Sequence, residues 1–182
     1  MMDVTRRRAW LYLGRGLLIW VGFIALTAVV AEFVFGDNAL TQLKVNVKPP
    51  DFELKNLHGD TVRLSERRDR PVILNFWATW CAPCVLEMPK IQKYFEKYPG
   101  EFDVLAVNAG EARFDVERFV EDMGLTFEIL LDPGGKIQEL YQIRGYPTSF
   151  FVDANGIIRV QHLGPLSEDQ LTDYLLQVGV GP

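Results

Sequence analysis

Hydrophobic and polar positions along this chain switch between two periods, and the switches mark its elements. Val72 to Trp77 is a nearly unbroken run of β-branched, aliphatic and aromatic residues, the pattern of a strand buried on both faces. From Val85 to Tyr98, Leu86, Ile91, Tyr94, Phe95 and Tyr98 recur among Lys and Glu as on one face of a helix, which Pro99-Gly100 stop. Phe102 to Asn108 is a second buried strand. Val116 to Met123, with Phe119 and Val120 on its inner face, is a helix ended by Gly124. Phe127 to Leu131 predicts a short strand, and Asp132-Pro133-Gly134-Gly135 turns the chain into a helix over Lys136 to Tyr141. Ser149 to Val152 and Ile157 to His162 predict a hairpin about Asp153-Ala154-Asn155-Gly156. Ser167 to Val178 closes the chain as a helix capped by Ser167, with Glu168 and Asp169 in its first turn. Ahead of all these, Asp51 to Leu64 alternates apolar and polar residues around His58-Gly59-Asp60, a further hairpin with His58 in its turn. Strands alternating with helices, followed by an antiparallel pair, predict an α/β domain with a mixed sheet covered on both faces.

The amino terminus has no such pattern. Arg6, Arg7, Arg8 and Arg15 precede Gly16 to Phe35, a 20-residue run whose only charge is Glu32. At about 1.5 Å per residue, a helix of that length spans roughly 30 Å, one hydrocarbon core. The basic flank places the N-terminus in the cytoplasm and Asp37 onward outside. Val29-Val30-Ala31 also fits a cleavage pattern, but signal h-regions run to about 7–15 residues, so an uncleaved anchor is the favoured reading. Both readings export the rest. Residues 1–36 are thus read as a cytoplasmic tip and transmembrane anchor, 37–50 as a polar tether closed by Pro49-Pro50, and 51–182 as the extracytoplasmic domain. From Val45 onward, 14 Lys and Arg stand against 21 Asp and Glu, a net of −7 without a basic block, which argues against nucleic acid as a partner.

The chain has two cysteines, Cys81 and Cys84, at the junction of the first buried strand and the long helix. At a helix N-terminus, unpaired N–H groups and the positive end of the dipole favour an anion, and cysteine pKa values near 8.5 fall to about 3.5–7.5 in such places. Residues three apart share a helix face, so Cys84 can reach Cys81, and Pro83 enters the helix with φ already set. This is the layout of a nucleophile and a resolving thiol. A structural zinc site needs about four ligands, and the chain adds only His58 and His162, not clustered. A stapling disulfide across so short a loop would restrict the unfolded chain little.

The chain resembles thioredoxin-fold proteins, and more narrowly the membrane-anchored ResA/TlpA/CcmG group of thiol-disulfide oxidoreductases among the AhpC/TSA-Redoxin-like proteins. The matching motifs are Pro50-Asp51-Phe52-Glu53-Leu54 with Gly59, and Asn75-Phe76-Trp77-Ala78-Thr79-Trp80-Cys81-Ala82-Pro83-Cys84 with Glu87 and Pro89. Val107-Asn108, Gly145-Tyr146-Pro147-Thr148-Ser149-Phe150 and Asp153-Ala154-Asn155-Gly156 follow in order, so the likeness covers about residues 49–180. It implies a thioredoxin fold with an added N-terminal β-hairpin. It also implies a cis bond at Pro147 facing the disulfide, with the backbone of Tyr146 free to bind a substrate strand. Glu87 takes the family's acidic position, where a partly buried carboxylate would accept a proton from Cys84; a solvated glutamate, or one paired with Lys90, is the alternative. Asn75 stands where thioredoxin carries a titrating Asp. Trp80, Pro83, Tyr146 and Pro147 are the expected substrate-contacting residues.

The resemblance further implies a cofactor-free dithiol exchange. A membrane thiol transporter of the CcdA or DsbD type would supply electrons, and an oxidised apocytochrome c or another disulfide protein would be the substrate. The chain would sit as a single-pass protein of the bacterial inner membrane with its catalytic domain outside. Two rivals remain: a copper-binding or copper-centre assembly chaperone recruiting a third ligand such as His162, and a peroxiredoxin-like peroxidase, whose motif needs a Thr where this chain has Ala78.

Overall fold

The computed structural model describes residues 45–67 and 69–181. The segment read as a membrane anchor lies outside them. Among the described residues no helix is long and apolar enough to cross a membrane.

The strands are β1 (Glu53–Asn56), β2 (Thr61–Arg63), β3 (Val72–Trp77), β4 (Asp103–Asn108), β5 (Glu128–Leu131), β6 (Thr148–Val152) and β7 (Ile158–Leu163). The helices are α1 (Ala82–Lys97), α2 (Arg113–Met123), α3 (Lys136–Leu140) and α4 (Glu168–Gln177). All seven strands form one sheet in the order β2-β1-β5-β4-β3-β6-β7. β3 runs parallel to β4, and β4 to β5. β6 and β7 return antiparallel on one side, and β1 with β2 antiparallel on the other. This is the mixed sheet that the alternation of strands and helices predicts.

Period-2 alternation splits the core into two layers. Val72, Leu74 and Phe76 of β3 face one way with Leu105 and Val107, and pack beneath Phe52, Leu64 and Tyr141. Ile73 and Trp77 face the other way with Val104 and Ala106, against Met88 and Ile91 of α1, Val116 of α2 and Leu171 and Leu175 of α4. By the same alternation Asn75 points to the α1 side, so one polar side chain enters that layer.

Three boundaries differ from the sequence pattern, each for a local reason. α1 starts three residues before the apolar periodicity, because Cys81 itself caps it and Pro83 fits its first turn. α2 also starts three residues early, since its first turn, Arg113–Asp115, is exposed and carries no apolar stripe. The end of the segment read as a tether is laid against the sheet edge. Asn46 N–H donates to the carbonyl of Ile158 (2.7 Å), Ile158 N–H to the carbonyl of Val47 (2.9 Å), and Arg159 Nη1 to Asn46 Oδ1 (2.9 Å). Ser167 caps α4 in a reciprocal box with Gln170, as the residue pattern predicts.

The loops after β3 and β4 leave the sheet side by side at its C-terminal end. Gly110, with φ +79°, lets the second of these pass so close to β5 that a Cβ would lie 2.8 Å from the Asp132 carbonyl oxygen. Gly110→Ala is therefore expected to cost about 2–3 kcal/mol, left-handed strain plus backbone overlap. Gly124→Ala, at φ +62° with open space around it, should cost about 1 kcal/mol. Urea midpoints of the two variants check the difference.

Candidate functional site

Strand β3 delivers its last residue, Trp77, into the core, and after three more residues the chain reaches Cys81, the cap of α1. Cys81 occupies the cap position: the N–H of Cys84 donates to Cys81 Sγ at 3.2 Å. The two cysteines form a disulfide. Cys84 is 1% exposed and Cys81 5%, so an incoming group has access only to Cys81. That access is a groove of about 560 Å³ lined by Trp80, Cys81, Pro83, Ile143, Arg144 and Tyr146, among others. Trp80 is 68% exposed, and its ring meets Tyr146 edge-on at 5.7 Å. The Tyr146–Pro147 peptide is cis, as the resemblance implied. Pro147 is buried behind the groove, so Trp80, Pro83 and Tyr146 are the expected contact residues that line it.

Glu87, one helical turn beyond Cys84, is neither solvated nor spent on Lys90. It is 1% exposed, with Asn75 Nδ2 donating to Oε1 (2.8 Å) and the Leu166 N–H to Oε2 (2.6 Å). Lys90 Nζ donates instead to the Leu166 carbonyl (3.1 Å). Burial pushes the Glu87 carboxyl up to about 7, while the two hydrogen bonds and the Lys90 charge pull the other way. Asn75 Nδ2 also donates to Ser149 Oγ (2.9 Å), and Asn75 Oδ1 has no partner among the described residues. Turning that amide over presents Oδ1 to a protonated Glu87, so Asn75 serves either protonation state without titrating. Thus a carboxyl that exchanges its proton near neutrality sits one turn from Cys84.

The sequence pattern did not single out Glu111 or Asp132 as part of the site. Glu111, in the loop after β4, accepts from Thr79 N–H (2.8 Å), Thr79 Oγ1 (2.5 Å) and Asn108 Nδ2 (2.7 Å), tying that loop to the one that carries Trp80 and Cys81. Its signal was topological: Asn108-Ala109-Gly110-Glu111 is a polar turn leaving a parallel strand next to β3, where sites in such sheets form. Buried Asp132 accepts from Ile137 N–H (3.1 Å), Gln138 N–H (3.0 Å) and Gln138 Nε2 (3.1 Å), and Gln138 Oε1 in turn accepts from the Tyr146 hydroxyl. Burial, with Asp132 and Glu111 nearby, raises the Tyr146 phenol, which stays a neutral donor. His162, the third ligand considered for copper, sits elsewhere: its Nδ1 lies 3.4 Å from the Tyr174 hydroxyl, against α4.

Glu87 makes stability depend on pH in a defined sense. The folded protein holds this proton up to about pH 7, whereas an unfolded glutamate releases it near 4.5. The native state therefore binds the extra proton between those values, and stability falls by about 3 kcal/mol as pH rises through the window. Glu87→Gln should remove that slope, seen as urea midpoints of the variant that lose less between pH 5 and 8 than those of the wild type. Glu111→Ala, which leaves the Thr79 N–H and the Asn108 amide without their acceptor, should cost about 1–3 kcal/mol in the same titration. Glu111→Gln should cost less, because one acceptor oxygen remains and the Thr79 hydroxyl can turn to accept.

Comparison with known proteins places this chain among relatives. Residues 45–161 match the model of the AhpC/TSA family. The chain is 38% identical over 136 residues to the thiol-disulfide oxidoreductase ResA of Geobacillus kaustophilus, covering 74% of this chain and 78% of that one. It is 32% identical over 171 residues to ResA of Halalkalibacterium halodurans, covering 93% and 94% respectively. Among solved structures, a putative thiol:disulfide interchange protein DsbE from Chlorobium tepidum superposes with a TM-score of 0.70 at 35% identity, covering 75% of this chain and 99% of that one. The chain belongs to the AhpC/TSA family, and it is a thiol-disulfide oxidoreductase of thioredoxin-like fold.

Proposed function

We propose that the protein reduces disulfides in partner proteins outside the cell membrane, and that apocytochrome c, during cytochrome c maturation, is one such partner. The observation that supports this most directly is Cys81: a sulfur at a helix cap, on the wall of an open groove, with Cys84 bonded beneath it. In the reduced protein the Cys81 thiolate attacks one sulfur of the substrate disulfide, and the other leaves as a thiolate that takes up a proton. Cys84 then gives its proton to Glu87 and attacks Cys81 Sγ, releasing the second substrate thiol. Two electrons pass to the substrate, and Cys81–Cys84 is left oxidised.

Trp80, Pro83 and Tyr146 form the apolar walls against which the substrate segment lies, and Pro147 holds the Tyr146 backbone in position. Electrons return from a membrane thiol transporter of the CcdA or DsbD type. Gly16 to Phe35 anchors the chain in the bacterial inner membrane and keeps the domain near that donor. Direction follows from Ala82-Pro83, which resembles the X-Pro of reductants, in a class of proteins spanning roughly −270 to −120 mV.

Redox titration of the pair by thiol alkylation should give a potential below about −150 mV, and a value above it overturns the reductase direction. Cys84→Ser should accumulate mixed disulfides through Cys81, visible as reductant-sensitive adducts on gels, while Cys81→Ser should form none.

A further inference from the structure

We propose that Arg144 selects the substrate: the groove favours a disulfide whose cysteine is flanked by Asp or Glu. This rests on the reading of Cys81 as the attacking sulfur and adds to it which disulfides are captured fastest.

Of the described side chains lining the groove beside Cys81, Arg144 alone is charged; its neighbours there are aromatic, aliphatic or small. It is exposed, and among the described residues it makes no ion pair or hydrogen bond. Arg63, Arg67, Arg70, Arg113 and Arg159 are each paired with a carboxylate, and Arg118, the other described arginine without such a pair, does not line the groove. The two carboxylates that act electrostatically on the neighbouring Tyr146, Glu111 and Asp132, are committed to loop N–H groups and side-chain amides. The guanidinium is left for something from outside.

Its backbone is held on both sides. The Ile143 N–H donates to the Gln138 carbonyl (2.8 Å), and the Gly145 carbonyl accepts from Thr148 Oγ1 (2.8 Å). Gln142 enters this turn at φ +53°, a left-handed conformation unusual for a residue other than glycine. A loop fixed in this way presents the side chain without the ordering cost of a floppy one. A guanidinium fork matches a carboxylate in two parallel hydrogen bonds, and the pairing strengthens as the substrate segment displaces water from the apolar walls. Elsewhere the domain is acidic, with a net charge of −7 from Val45 onward, so a substrate carboxylate is attracted at this rim and repelled by the domain's general charge.

The test uses the full chain, reduced, in detergent. Three synthetic peptides each carry one Cys-Ala-Ala-Cys disulfide and differ only in having Glu, Gln or Lys beside the attacked cysteine. Second-order rate constants are read by acid quench and chromatography. At low salt the Glu peptide should react about 5-fold faster than the Gln peptide and the Lys peptide slower, with the spread shrinking at 0.5 M salt. Arg144→Ala should bring the Glu/Lys rate ratio close to one, and Arg144→Glu should invert it. Because the ratio compares substrates on one protein, any effect of Arg144 on Cys81 itself cancels. A ratio near one in the wild type, or one that survives Arg144→Glu, overturns the selection while leaving the exchange reaction standing. Reduction of none of the three peptides overturns both.

Discussion

Helix α1 is capped by sulfur, and the rest of the site follows from that substitution. The first turn of any helix leaves N–H groups without intrahelical partners, and an oxygen of Ser, Thr, Asp or Asn usually meets them. Here the acceptor is Cys81 Sγ, which takes the N–H of Cys84. A disulfide sulfur is a weak acceptor, whereas the thiolate formed on reduction puts a full charge at the same point. The cap therefore strengthens when this sulfur carries the charge, and the helix N-terminus favours that form. This cap holds Cys81 at the groove wall.

Three carboxylates keep that geometry from relaxing. Strands β3, β4 and β5 all end at one edge of the sheet, and the segments that follow them, like the one that follows β7, carry backbone N–H groups that no sheet neighbour can satisfy. Glu111 meets the N–H of Thr79, Asp132 those of Ile137 and Gln138, and Glu87 that of Leu166. Each carboxylate joins pieces of chain far apart in sequence or braces the turn that follows its strand. Drawing these charges inward also keeps them off the groove lining, which among the described residues is apolar except for Arg144. An acidic domain thus carries a groove beside Cys81 that no described carboxylate lines.

The fold was legible because burial leaves periodicity: β3 and β4 read as mostly apolar runs, and α1 as a stripe. Boundaries were less so, since the exposed first turn of α2 and the sulfur cap of α1 carry no hydrophobic signal. In the site, Cys81 and Cys84 were visible from spacing alone. Glu87 and Pro147 required the family likeness, because nothing in a local pattern separates a buried glutamate or a cis proline from ordinary ones. Glu111 and Arg144 escaped because their roles are set by tertiary contacts: one by the neighbouring loop, the other by the groove it faces. The edge pairing of Asn46 and Val47 escaped for the same reason, since a polar extended segment reads alike whether it is docked or free.

Opposing charges at the pair bear on its direction. Stabilising the thiolate favours the reduced protein and so makes the disulfide a stronger oxidant. The cap at Cys81 acts in that sense, and so does Arg144, from an exposed position where water screens it. Against them stands Glu87, buried one turn from Cys84, where water screens little and a second negative charge nearby is disfavoured. Because that carboxyl titrates near 7, it opposes the thiolate most when ionised and least when it has taken a proton. A proton moved from Cys84 to Glu87 leaves the site's net charge unchanged, so Cys84 can become nucleophilic without the core acquiring a second charge.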